Sequence, residues 1–356
     1  MAEQAGFVAE KLGLACQMVD QEVASGAVGA AALLVARNGM VAVERGYGRL
    51  RRDPGARAVA PESVFLVASI SKPVTVTGVM TLVEKGRVRL DDPASKYLPE
   101  LKGDGREKIL VRHLLSHASG LPDMLPENVE MRKRQAPLRE FVAKSMTTPL
   151  LFAPGTAVKY QSMGTLLAAE ILERVTREKL DAFLQREVLG PLGMRRSAMG
   201  LGKNRIEDTV EVDLPKEGDV PQTEADHSWH WNSPYWRGLR APWGGMHTTV
   251  GDIALLLQAM LEGGKPVLKP ETALAMRTDQ NRGLNQPWGL GWEVGAGANY
   301  PGSAAEVFGH GGATGTLCWA DPSRGIVFVL FTNRPGVNDK TEFRERVAKA
   351  VSDAAA

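Results

Sequence analysis

Cysteine is nearly absent: 356 residues hold only Cys16 and Cys318. Two thiols so far apart, with no Cys-x-x-Cys, make neither a disulfide scaffold nor a metal ribbon, and each reads as a small buried apolar residue. Charge of one sign is missing as well. The chain carries 43 basic and 41 acidic side chains, a net charge of +2, which gives no electrostatic footprint for nucleic acid or an anionic membrane. No apolar run approaches the roughly 18 residues that span a bilayer. Met1-Ala2-Glu3-Gln4 has neither the basic start nor the apolar stretch of a signal peptide. The expectation is a cytoplasmic protein with a small-molecule partner, no nucleic acid and no membrane; oligomeric state is not legible. Charged residues at 24% and hydrophobic ones at 44% describe an ordinary globular chain.

Two catalytic signatures are also absent. No Gly-x-Ser-x-Gly occurs, which excludes the usual nucleophile turn of an α/β-hydrolase. No His-Glu-x-x-His occurs, so a metal hydrolase would rest on His113 and His117 at i, i+4 and on His227-x-x-His230. Histidine pairs of that kind are usually packing or surface; no metal and no cofactor are expected.

What is present has two textures. Phe7, Val8, Leu12, Ala15, Met18, Val19 and Val23 recur at helical spacing, and Gly26 ends the pattern. Ala30–Ala36 reads as a strand, Asn38-Gly39 as a hairpin turn and Met40–Val43 as the return strand. After a Pro- and Arg-rich loop, Val64–Val67 is strand-like and a helix runs to about Glu84. Residues 91–244 change character: short helical patterns near 111–117, 137–147, 162–175 and 179–188 are punctuated by Pro and Gly. Thr209–Pro221 reads as a loop or small hairpin. Trp229, Trp231, Tyr235, Trp236 and Trp243 crowd one stretch, as either the wall of a cleft or a structural patch joining two lobes. From Gly244 the first texture returns, with a helix over 249–261, a strand over 288–294, a run 305–308 leading into Gly309-His310-Gly311-Gly312, strands over 316–320 and 326–332, and a closing helix over 339–352. Residues 1–90 and 245–356 are thus expected to form one lobe around an antiparallel sheet. Residues 91–244 form a mainly helical second lobe, with the active site between them: an α+β fold.

Ser69 and Lys72 form the only Ser-x-x-Lys of the chain. Ser69 stands near a helix start, where unpaired N–H groups favour negative charge, and Lys72 lies on the same helix face. Serine needs a base to become a nucleophile. A Ser-His-Asp triad is not excluded by six histidines, because triads are geometric rather than sequential. A lysine or tyrosine base is the alternative, and Tyr160-Gln161-Ser162 supplies a phenol whose pKa a nearby ammonium would lower. His310-Gly311-Gly312 reads as a cleft-flanking strand whose glycines admit close backbone approach. The N–H groups of Ser69 and Ala313 are candidates for an oxyanion hole.

Ser69-x-x-Lys72, Tyr160-x-Ser162 and His310-x-Gly312, in that order, resemble the penicillin-recognising serine hydrolases, nearest to class C β-lactamases, DD-peptidases and family VIII carboxylesterases. Leu114–Pro122, Phe152-x-Pro154-Gly155, Pro191-Leu192-Gly193-Met194 and Gly244–Thr249 with Asp252 are similar to stretches of that group. The resemblance covers about residues 20–350 and implies the β-lactamase-like fold. It implies Ser69 as acylated nucleophile, with Lys72 as its proton acceptor or as the group tuning Tyr160, and Tyr160 as general base. Ser162, His310, Gly311, Gly312, Trp236 and Trp243 are implied to bind substrate. Ser162 stands where asparagine is frequent in the β-lactamases, and His310 where lysine is usual. Both changes weaken capture of a substrate carboxylate. Ester cleavage is therefore expected ahead of β-lactamase, DD-peptidase or D-amino-acid amidase and aminopeptidase activity. A non-catalytic binding module, which has no need of all three residues, ranks behind these.

Overall fold

The computed structural model describes residues 2–53, 55–214, 227–295, 300, 304–335 and 341–355. Six antiparallel strands form its main sheet, in the order β2-β1-β9-β8-β7-β6. They are β1 (Ala30–Arg37), β2 (Met40–Gly48), β6 (Glu293–Val294), β7 (Phe308–Gly312), β8 (Thr316–Asp321) and β9 (Ile326–Thr332). Asn38 and Gly39 make the β1–β2 turn at φ 52° and 79°, the left-handed backbone that the Asn-Gly pair tolerates best.

Helices cover both faces of this sheet, which is why β1 and β9 are apolar at nearly every position instead of alternating. Ile326, Phe328 and Leu330 face one core with α1 (Ala9–Ala24) and the C-terminal helix Thr341–Ala354. Val327, Val329 and Phe331 face the other, with α2 (Ser71–Glu84). That second core is continuous. It runs from the sheet through α2 into the helices of the middle of the chain. Twelve consecutive residues of α2, Ser71 to Leu82, are buried, so the helix is covered on every side rather than two-faced. At Gly78 an added Cβ would sit 2.6 Å from Leu184 Cδ2, which lets a neighbouring helix close on α2.

The regular elements of residues 91–244 are mainly helices. They include α3 (Val111–Leu115), α4 (Asn128–Lys133), α5 (Leu138–Ser145), α6 (Ser162–Thr176) and α7 (Leu180–Leu184). A second sheet joins three short strands, β3 (Phe65–Leu66), β5 (Met246–Thr248) and β4 (Ala198–Met199), in the order β3-β5-β4. Several expectations need correction. The strand expected over 64–67 keeps two residues, and that over 288–294 keeps only Glu293–Val294, because regular ladder pairing extends no further: Val64 bridges Thr209 instead, and Leu290 and Gly291 bond to Met276 and Leu115. The run 305–308 reaches strand geometry at Phe308 and continues to Gly312. Helix α4 and a helix over Pro270–Met276 were not expected. Of the 209–221 stretch, residues up to Leu214 are irregular and the rest lies outside the described residues. Among the described residues no helix is long and apolar enough to cross a membrane.

Candidate active site

Ser69 sits in a 3-10 turn, Ala68–Ile70, that leads directly into α2. Ala68 holds φ 44°, a left-handed conformation costly for a residue with a Cβ. Its carbonyl accepts from Ser71 Oγ at 2.6 Å, and Ser71 Oγ in turn accepts from Met246 N–H at 3.0 Å. The strained turn is thereby fixed to β5, and Ser69 stays half-buried.

Lys72, one turn further, is 1% exposed. Its Nζ lies 3.0 Å from Ser69 Oγ, 2.7 Å from Tyr160 OH and 3.2 Å from the Trp243 carbonyl oxygen. Among the described residues no carboxylate touches it. Burial pushes Lys72 down to about 7, against a smaller upward pull from Asp123 and Glu293. Burial also raises the Tyr160 phenol, only partly offset by a hydrogen bond with Ser69. The expected lowering of the phenol by a neighbouring ammonium is therefore reversed. Desolvation favours amine plus phenol over ammonium plus phenolate.

The Trp243 carbonyl can only accept, so it takes one N–H of Lys72. A neutral amine then has one N–H and one lone pair left, facing two hydroxyls. One hydroxyl must accept and the other donate. This is the geometry of a proton acceptor poised between serine and phenol.

Tyr160 is placed by a loop held to loop 116–122. Lys159 N–H donates to His117 O at 3.0 Å and Gln161 N–H to His117 Nδ1 at 3.1 Å. The His117 ring packs 4.7 Å from that of Tyr160 and meets Trp288 edge-on at 4.5 Å. Gly120 allows the crossing, since a Cβ there would lie 2.2 Å from Phe152 O. His113 Nδ1 likewise accepts from Leu110 N–H at 3.2 Å. The histidine pair considered for metal thus caps backbone, and among the described residues no group of acidic, His and Cys side chains could hold a metal.

The opposite wall is β7 and its turn. Thr314 Oγ1 donates to Leu66 O at 2.7 Å and Thr316 Oγ1 to Val67 O at 3.0 Å, which staples the turn to the segment entering Ser69. A Cβ on Gly312 would fall 2.3 Å from Val67 O and 2.2 Å from Thr316 Oγ1. Gly312 is glycine because the chain packs on itself, whereas at Gly311 the nearest atom is 3.9 Å away. Ala313 is exposed at the turn, and its N–H has no hydrogen-bond partner among the described residues. His310 is 1% exposed, with its ring 6.0 Å from Tyr160 and 6.1 Å from Trp288.

Three expected binding residues are placed differently. Trp236 and Trp243 are 3% and 2% exposed, stacked edge-on at 6.3 Å, with Phe141 at 6.0 Å and the Arg132 guanidinium 4.2 Å over Trp236. They are core rings, and Trp243 reaches the site through its carbonyl alone. The hydroxyl of Ser162, the N-terminal residue of α6, is spent on Asp123 Oδ1 at 2.6 Å. Sequence reasoning missed Asp123, His117 as a support for Tyr160, and Trp288. The only sequence signal for Asp123 was its place directly after Gly120-Leu121-Pro122.

The beta-lactamase family model matches residues 16–352. The chain belongs to the beta-lactamase family. It is a serine hydrolase of that superfamily, with the mixed α+β architecture expected. Esterase EstB of Burkholderia gladioli is 30% identical over 346 residues, 86% of each protein. An N-acetylmuramyl-L-alanine amidase of Bacillus subtilis is 26% identical, covering 94% of this chain and 83% of its own. Among solved structures, EstCE1, a hydrolase with promiscuous acyltransferase activity, superposes with a TM-score of 0.78 at 23% identity, covering 97% of this chain and 99% of its own.

Proposed function

We propose that this family member is a carboxylesterase working through an acyl-enzyme on Ser69. The observation that carries the reading is Lys72 Nζ, buried and held 3.0 Å from Ser69 Oγ and 2.7 Å from Tyr160 OH. Ser69 Oγ attacks the ester carbonyl while its proton passes to the Lys72 lone pair, directly or through Tyr160. The carbonyl oxygen becomes an oxyanion received by the Ser69 and Ala313 N–H groups. Collapse expels the alkoxide, which takes the proton back through Tyr160 and leaves as alcohol. Water then repeats the sequence on the acyl-enzyme, releasing the acid and restoring Ser69. The preference for esters over β-lactams is supported by His310, a buried side chain pushed down to about 3 by burial and by Lys72, where a cation would be needed to hold a carboxylate. Similarity to esterase EstB adds support.

A fluorophosphonate probe is expected to label the protein at Ser69 and not the Ser69→Ala variant. Across short and medium acyl nitrophenyl esters, nitrocefin and D-alanyl amides, the short esters are expected to show the highest kcat/KM. Nitrocefin as the best substrate would refute the esterase reading.

A further inference from the structure

Away from the cleft, a cavity of about 400 Å³ opens between the β2 edge of the main sheet and the helix Val250–Leu261. That size suits a small-molecule site. None of its lining residues is among those placed around Ser69, Lys72 and Tyr160. Its walls are mostly apolar. Ala36, Pro61 and Ala254 contribute, together with Val41 and Leu255, which at 41% and 44% exposed are two of the large apolar side chains that the fold leaves uncovered. β2 bulges here: Val35 pairs with Val43 but Ala36 with Val41, and a bulge bends its strand and re-aims the side chains.

The polar part of the cavity is negative. Asp252, in the first turn of the helix, is 7% exposed. Its Oδ2 accepts from Arg196 N–H at 2.9 Å and from Ser197 Oγ at 2.7 Å. Oδ1 has no partner among the described residues and is not sealed from solvent. Burial raises this carboxyl and the bonds to Oδ2 hold it down only in part, so a cation beside Oδ1 is a favourable addition. Glu44 and Glu62 line the same cavity. A Cβ at Gly251 would lie 3.3 Å from Glu44 Oε1, which puts that carboxylate over the same helix turn as Asp252. Against these three acids the lining has one cation, Arg196, exposed and in no ion pair among the described residues.

We propose that this cavity is a second binding site, for an amphipathic amine: its ammonium group donates to Asp252 Oδ1 under the added negative potential of Glu44 and Glu62, and its apolar chain covers Val41, Ala254 and Leu255. The inference stands apart from the esterase reading, because the two sites share no residue. An alcohol with the same chain gains the apolar contact without the charge, and a carboxylate meets three groups of its own sign.

Calorimetric titration of the full chain at neutral pH and low salt compares hexylammonium, 1-hexanol, hexanoate and ethylammonium. Hexylammonium is expected to bind with a Kd about tenfold or more below that of hexanol, and hexanoate not to bind detectably. Ethylammonium, which lacks most of the chain, is expected to be at least about tenfold weaker than hexylammonium. Leu255→Arg brings a cation and a longer side chain into the cavity from an exposed position, and is expected to weaken hexylammonium at least about tenfold. Asp252→Asn is expected to remove most of the preference for hexylammonium over hexanol. Circular dichroism checks that each variant is folded; should Asp252→Asn fail to fold, Leu255→Arg decides alone. Absent saturable binding of hexylammonium overturns the proposal. So does hexanol or hexanoate binding as tightly, and so does an affinity unmoved in Leu255→Arg, since the amine then sits elsewhere, the catalytic cleft included.

Discussion

Two of the basic side chains buried in this molecule, Lys72 and Arg237, behave in opposite ways. Each is 1% exposed, and among the described residues neither touches a carboxylate. Arg237 is ringed by oxygen acceptors: the Trp231 carbonyl at 3.0 Å, the Val210 carbonyl at 3.1 Å, Asn232 Oδ1 at 3.0 Å and Thr209 Oγ1. Burial lowers it only to about 10, so it stays charged and clamps the chain around 209–212 to the aromatic stretch 231–237. Lys72 has three contacts and falls to about 7. A planar guanidinium spreads its charge over five donors and keeps its proton, while an ammonium sheds it. The same burial therefore makes a structural rivet of one residue and a base of the other.

Exchanging the two head groups tests this contrast hardest. Lys72→Arg keeps the charge but removes the lone pair, and kcat is expected to fall by about 10³-fold or more in ester hydrolysis assays, with circular dichroism showing retained fold. Near wild-type turnover would mean that Lys72 is not the acceptor.

Next in size is the response to pH. Because the amine is the active form, kcat/KM is expected to rise about tenfold per unit as pH climbs to about 7 and then to level off. Stability follows the same group with its sign reversed from an ion-paired lysine. Between about 7 and 10 the unfolded chain binds the proton that folded Lys72 refuses, so this contribution to stability is lost as pH falls through that window. Thermal melts of Lys72→Met are expected to gain on wild type as pH drops from 10 to 7.

Arg237→Lys should cost about 2 kcal/mol in denaturant titration, since three donors cannot replace the fork and carbonyls are left unmet. Activity of the folded fraction is expected to stay intact. The smallest effect belongs to Glu293→Gln. Glu293 raises the Lys72 pKa, so its removal should move the acidic limb of the pH profile to lower pH by a fraction of a unit.

The legible parts of the fold were those with local signals. β9 is apolar from Ile326 to Phe331 because it is covered twice, and Asn38-Gly39 dictates the β1–β2 turn. Phe65–Leu66, Ala198–Met199 and Glu293–Val294 are strands only because distant partners make them so, and two residues carry no period. The helix at Pro270–Met276 had a usable cue in its first-turn proline. In the site, Ser69, Lys72 and Tyr160 were readable from spacing and order. The pairing of Ser162 with Asp123 and the seat of Tyr160 against His117 and Trp288 bring together residues far apart in the chain. The rings at 236 and 243 misled because an aromatic cluster has the same composition whether it lines a wall or fills a core.

The threonine staples have a consequence for how this protein can change. Leu66, Val67, Gly312, Thr314 and Thr316 form one interlocked block, with no room at Gly312 for even a methyl group. One bank of the cleft is thereby frozen. Laboratory evolution toward bulkier acyl chains has to carve the other bank, around Asp123 and Trp288, where replacing a side chain does not pry the nucleophile's own loop apart.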